Sequence, residues 1–363
     1  MNRRWICSDV WMDILPSFDH AQLGLKMALL SDRFDVLVDA HFDGKSELTI
    51  WRTIEIRKDK GRNANNNGPK AKLSVRIDGK FVAFPFPDRP LPNKIRFKDL
   101  QIYYIDHSVL AFIRSNKPIF DRSGTDLELS ISNEQPIWDV LASEIWPIFA
   151  QNIRHLSFTE GNALDNLRRR ISPTILTDLD QLNSIGSYFL FPDGIADDGP
   201  NATVGQALTK WLHTSSKDGQ PKRLLNYDYV GPLNRGWVNN FKETFRRATT
   251  SVSYTIQRYF SVRAMPIEQF ELVNEVTNEK LTLKMSKELE CNFLYNWLLQ
   301  RCPIGETAKA PIKFGLRLSN HSSANLNNIT FDLWSVYESI GPLSPPAEEE
   351  KEEKADQSNQ NIV

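Results

Sequence analysis

The chain of 363 residues has few cysteines, no long apolar run and almost no net charge. Cys7, Cys291 and Cys302 show no metal-ligand spacing, so neither a disulfide framework nor a zinc module is expected. No stretch approaches eighteen consecutive apolar residues, which argues against a helical membrane span. Asp9 and Asp13 interrupt the apolar start and rule out a signal-peptide core, so a cytoplasmic or nuclear location is expected. A net charge of −1 argues against a dedicated nucleic-acid surface. Arg168, Arg169 and Arg170 point in different directions on a helix and read as a solvated face.

Catalytic signatures are missing as well. Gly44-Lys45-Ser46 ends like a phosphate-binding loop, but Asp39 stands where its first glycine is required. There is no Gly-x-Ser-x-Gly elbow. Cys302 beside an apolar strand reads as a core thiol, and His213 as a packed residue. Asp197-Asp198, between Gly194 and Gly199, reads as a solvated turn. The expectation is a protein that is not an enzyme, with no catalytic residue, metal or cofactor.

What is present falls into five stretches. Residues 4–42 carry three short amphipathic helices whose apolar stripes exceed what so small a unit can enclose. Pro16 should stop the first near Leu15. Residues 43–92 read as a small β region, with a strand over 47–57, a loop over 58–70 and a hairpin turning at Asp78-Gly79. From 93 to 262 short strands at 100–102, 127–131, 156–158, 188–190, 224–227 and 252–256 alternate with helices. Those helices are expected at 109–113, 137–150, 164–182, 204–213 and 237–248. The period of roughly 25 to 35 residues lies near that of leucine-rich repeats, and it favours an irregular repeat array over a doubly wound sheet. Residues 263–340 read as a C-terminal β-rich cap, with two strands joined at Thr277-Asn278-Glu279 and a third ending at Pro303. The acidic tail, 341–363, is expected to be disordered.

In the head, Asp9-Val10, Ile14-Leu15, Phe18, the turn at Asp19-His20, Leu23-x-Leu25 and Arg33-Phe34-x-x-Leu37-Val38 follow one another in an order that resembles an F-box. That is the three-helix module which docks a substrate receptor onto the Skp-type adaptor of a cullin-based ubiquitin ligase. Cys7, where that module usually has proline, and Pro16 are departures from its pattern. Further along, Pro90-Leu91-Pro92, Ile145-Trp146-Pro147, Ser172-Pro173-Thr174, Phe191-Pro192 and Phe270-Glu271-Leu272 recur in order. Together with the head they resemble a family of F-box proteins expanded in plant-parasitic nematodes, over nearly all of the chain from 4 to about 312.

The resemblance implies an α/β protein: a three-helix F-box-like module, an irregular leucine-rich-repeat-like strand–helix array and a C-terminal β-rich cap. It implies a substrate-recognition subunit of an SCF-type ligase, with a Skp-type adaptor, a cullin complex and a protein substrate as partners. The alternative is a non-catalytic repeat scaffold that engages no ligase. On the first reading, Val10, Ile14, Leu15, Phe18, Leu23, Leu25, Leu30 and Phe34 are shared between the helical core and the adaptor interface. The substrate surface follows from strand alternation. If Leu127 and Leu129 point inward, Glu128 and Ser130 point out; likewise Gln101 and Tyr103 on one side, and His155 and Ser157 on the other. Tyr103, Glu128 and His155 are therefore candidate substrate-binding residues on one polar and aromatic strip.

Overall fold

The computed structural model describes residues 6–43, 49–59, 70–77, 80–92, 95–120, 124–132, 134–188, 190–193, 195–226, 235–261, 268–286, 294–305, 315–318 and 331–334. The phosphate-loop-like Gly44-Lys45-Ser46, most of the 58–70 loop, the Asp78-Gly79 turn, Cys291 and the tail lie outside them.

The proline in Ile14-Leu15-Pro16 decides how the head begins. α1 (Ser8–Ile14) stops and a 3-10 turn, Leu15–Ser17, takes over. Proline has no N–H for the helical bond, and its ring crowds the preceding turn. Asp19 then caps α2 (His20–Gln22): its carboxylate accepts from the Ala21 N–H at 2.7 Å while Gln22 accepts from the Asp19 N–H at 3.4 Å. A π-helical stretch, Leu23–Met27, and a 3-10 turn, Ala28–Leu30, lead to α3 (Asp32–Asp43). The side chains of Leu23, Val38 and Phe42 are at most 1% exposed and belong to the same core as the sheet behind them.

That sheet begins with β1 (Thr49–Lys58), β2 (Ala71–Ile77), β3 (Lys80–Phe84) and β4 (Ile95–Ile102). α4 (His107–Ser115) and α5 (Lys117–Phe120) lead to β5 (Thr125–Leu129). α6 (Gln135–Val140) and α7 (Trp146–Phe149) lead to β6 (Ile153–Phe158). α8 (Ala163–Arg170) and α9 (Ile175–Asp178) lead to β7 (Ser184–Ser187). α10 (Val204–Leu212) precedes β8 (Lys222–Asn226), and α11 (Arg235–Arg247) precedes β9 (Tyr254–Ser261). β10 (Phe270–Asn274), β11 (Glu279–Ser286) and β12 (Leu294–Pro303) close the unit.

These twelve strands form one mixed, mostly parallel sheet in the order β10-β11-β12-β9-β8-β7-β6-β5-β4-β1-β2-β3. β1 and β4 to β9 run parallel, each beside the next in sequence, with an antiparallel extension at either end. From β4 to β9 the order runs one way, and β2 and β3, on the other side of β1, pair antiparallel, so the parallel run has no switch point of the doubly wound kind. Crossovers of one hand that advance in one direction lay their helices on one face, and α6 on α8 and α9 on α10 do pack together. Leu100, Leu127, Leu156, Ile185, Leu224 and Ile256 stand opposite one another across that face, none more than 2% exposed. Each is stabilised by about 1.5–3 kcal/mol of burial.

At the far end, Arg301 ties the antiparallel strands down. Its Nε and Nη2 donate to Glu279 Oε2 at 3.0 and 2.6 Å, and Nη2 also to the Thr250 carbonyl at 2.9 Å. The other carboxylate oxygen accepts from Ser251 Oγ at 2.9 Å and the Val252 N–H at 2.7 Å. Both side chains are buried, at 1% and 0% exposure. Glu279, read from the sequence as part of a turn, is thus the buried first residue of β11.

Other differences have local causes. β7 lies at Ser184–Ser187 rather than 188–190, because pairing with β6 places Gly186 opposite Ser157. A Cβ at Gly186 would stand 3.0 Å from Ser157 Oγ and 3.4 Å from the His155 ring. The expected helix over 137–150 is two helices around a π turn, Leu141–Ile145, which comes just before Pro147. The expected helix over 164–182 breaks around Pro173. Arg168 is not solvated: it is 5% exposed and donates to the carbonyls of Pro173, Gly199 and Ala202 at 3.0, 3.0 and 2.7 Å. The second compact unit, Lys309–Val363, holds β13 (Gly315–Leu318) paired antiparallel with β14 (Phe331–Trp334).

Candidate functional site

Opposite the helices, the sheet presents a polar face, and strand register decides which residues meet there. Thr53, Asp99, Asp126, His155, Ser184 and Arg223 form one row across β1, β4, β5, β6, β7 and β8. Two residues further along each strand, Glu55, Gln101, Glu128, Ser157 and Gly186 form the next. Tyr103 follows β4 directly, its N–H bonded to the Ile56 carbonyl at 2.8 Å.

Two of the three candidate substrate residues meet. Tyr103 OH donates to Glu128 Oε1 at 2.9 Å, and Gln101 Nε2 donates to Oε2 at 3.2 Å. The Arg57 guanidinium lies 4.4 Å from the centre of the Tyr103 ring and pairs with Glu55. Thr53 Oγ1 donates to Asp99 Oδ2 at 3.1 Å. His155 stands apart from this group, in the row with Asp126 and Ser184. Its ring lies against Gly186, and its Nδ1 has no hydrogen-bond partner among the described residues. All three candidates are half-buried rather than fully outward, and Ser157 is only 7% exposed.

The electrostatics follow from this packing. Burial pushes the Glu128 carboxyl up to about 7; the Tyr103 hydroxyl and Arg57 pull against it, while Glu55 and Asp99 push with it. Burial, then the charge of Glu128, raises the Tyr103 hydroxyl, which stays a donor. Burial alone takes His155 down to about 4, leaving a neutral ring at pH 7. The strip can therefore offer oxygen acceptors to a cation, and one carboxyl that changes charge near neutrality. Among the described residues no group of three or more His, Cys, Asp or Glu is placed to hold a metal ion.

The head divides its candidate residues differently. Leu15, Leu23 and Leu25 are at most 1% exposed and serve the core. Ile14, Phe18 and Phe34 are half-buried, with Phe34 edge-on to Trp11 at 4.8 Å. Val10 is 47% and Leu30 64% exposed. Sequence reasoning missed Ile6 and Val36, at 46% and 68% exposure. Arg33 brings Ile6 to α3 by donating to its carbonyl, a tertiary contact with no local signal. Asp35-Val36 inside an amphipathic helix gave the one hint, an apolar residue off the buried stripe.

No family model matches the chain, and no curated protein and no solved structure matches it.

Proposed function

We propose that this chain is a substrate-recognition subunit of an SCF-type ubiquitin ligase. The head docks on a Skp-type adaptor, and the strand–helix array with its C-terminal strands takes a protein substrate. The observation that carries this reading is on the head. Ile6, Val10, Leu30 and Val36 are 46%, 47%, 64% and 68% exposed, beside a fully buried Leu15 and Leu23. Covering apolar area at about 25 cal/mol per Å² favours association, and a helical module this small has little reason otherwise to hold such side chains in water.

The strand order supports a leucine-rich-repeat-like array behind the head, since each parallel strand follows its neighbour in sequence. So does Asn226, whose amide donates to the Leu190 carbonyl at 2.8 Å and ties two successive units together. A receptor of this kind positions a substrate for other enzymes and needs no reacting group of its own.

The test is co-expression of the full chain with a Skp-type adaptor. The two should co-purify, and Val10→Asp with Leu30→Asp should abolish capture while the circular dichroism of the chain is unchanged, because both side chains are exposed. Leu15→Asp should instead unfold the head, since Leu15 is 0% exposed. Undiminished capture by the double variant, or none by the intact chain, would leave the non-catalytic interaction scaffold as the better reading.

A further inference from the structure

We propose that two copies of this chain pair through the outer edge of β10, antiparallel about a twofold axis at Leu272, so that the sheet runs on from one copy into the other. This goes beyond the receptor reading, and neither depends on the other.

The edge is the first argument. β10 ends the strand order, with β11 on one side and no strand among the described residues on the other. A strand at such an edge presents backbone N–H and C=O groups that another strand can take. Edges are commonly blunted by lysine, proline or a bulge. Phe270-Glu271-Leu272-Val273-Asn274 has no lysine and no proline, and it pairs with β11 without a shift of register. The strand also holds apolar surface in water: Val273 is 56% exposed, and Leu272 is only partly covered by the core.

Register and charge then choose the occupant. A twofold axis that keeps the helices of both copies on one face must oppose residues of like orientation. Centred on Glu271, the pairing sets Glu271 against itself; centred on Val273, it sets Glu271 against Glu275. Like charges directly opposite are unfavourable. Centred on Leu272, it sets Leu272 against Leu272 on the helix side and Glu271 against Val273 on the other. Val273 lies beside Lys280 on β11. Glu271 of one copy therefore stands two strand spacings, about 9–10 Å, from Lys280 of the other. Side chains of that length close such a gap, with the lysine stem lying over Val273. Glu271 is exposed and Lys280 partly so, and neither holds an ion pair among the described residues. The axis makes the contact twice. The opposite edge, β3, offers Lys80 and no carboxylate, so it does not complement itself.

The experiment is sedimentation of the full chain, which should show a monomer–dimer equilibrium at or below about 100 μM. Glu271→Lys and Lys280→Glu should each weaken it at least about tenfold, because each homodimer then carries two like-charge contacts. Mixed in equal amounts, the two variants should dimerise as the unaltered chain does, since their heterodimer opposes unlike charges at both contacts. An effect confined to one chain would not recover on mixing. In a Cys7→Ser background, which removes the exposed thiol, Leu272→Cys should cross-link to itself on oxidation and Val273→Cys should not. A monomer at every concentration, assemblies that grow past the dimer as joining β10 to β3 would give, no recovery in the mixture, or a cross-link at 273 in place of 272 overturns the proposal.

Discussion

Glu279 and Glu128 are carboxylates of the same sheet, one in the antiparallel strands at its end and the other in the parallel run, and their surroundings drive them in opposite directions. Glu279 is met by the Arg301 fork, the Ser251 hydroxyl and the Val252 N–H. Burial pushes its carboxyl up, but the donors of Arg301, Thr277 and Ser251 and the charge of Arg301 outweigh that, and it lies below its ordinary value. Glu128 has a tyrosine hydroxyl and a glutamine amide, and it rises to about 7. The difference separates a carboxylate met by a guanidinium fork from one met by neutral donors, on which the pull of Arg57 is weaker than the push of burial. The first is a clamp; the second keeps its proton until close to neutrality.

The sharpest way to break the comparison is to remove the clamp's cation. Arg301→Ala leaves Glu279 buried without its counter-charge and should cost about 3–5 kcal/mol in urea unfolding. Arg301→Met together with Glu279→Leu should recover most of that loss, because two apolar groups replace the pair without stranding a charge. If the double variant is no better than the single one, the pair is more than a neutralised charge.

The next effect is in pH. Between about 4.5 and about 7 the folded chain keeps a proton on Glu128 that the unfolded chain has lost. Stability from this group is therefore full below about 4.5 and falls as pH rises, by up to about 3 kcal/mol. Glu128→Gln should remove that decline in urea titrations run across the range. Glu279 has the opposite sign: its contribution is present above the unfolded value and is lost as pH falls through the lowered folded one. His155, held down at about 4, shares that sign, and its contribution is lost as pH falls from 6.5 toward 4.

The smallest effect sharpens rather than breaks. Tyr103→Phe removes one donor from Glu128 and should cost about 1 kcal/mol. Because that donor holds the Glu128 carboxyl down, its loss should also carry the pH-dependent decline to higher pH. A decline that stays where it was would place the control of Glu128 elsewhere.

Much of the helix face was legible in the sequence, because its alternation is strict: Leu127 and Leu129 in, Glu128 out. The pairing of Tyr103 with Glu128 follows from that alternation plus strand order. β7 was not legible, since Ser184-Ile185-Gly186-Ser187 holds one large apolar residue, while the apolar Leu190 just beyond it is buried outside the strand. What selects the strand is the room that Gly186 gives to Ser157 and His155 on β6, a property of the neighbour. The clamp was hidden for the same reason: Glu279 and Arg301 meet only through the β11–β12 register, which sets Leu281 against Arg301. In the head, exposed and buried apolar residues have the same letters, and only packing distinguishes Leu30 from Leu25.

The sequence order of the parallel strands has a consequence for how the chain is made. From β5 to β9 each strand lies beside the one synthesised just before it, so this part of the sheet can grow as the ribosome delivers it, one crossover docking on the last finished edge. Every intermediate on that route carries a bare strand edge, the kind that other chains can join. β9 is the last of these parallel edges, and it stays bare until β12 pairs along it. Arg301 arrives on β12 itself, after Glu279 has been made and before β12 is complete. The bond between them therefore forms as the growing edge is covered, and a chain that stops short of residue 301 would leave the ribosome with its sheet unsealed.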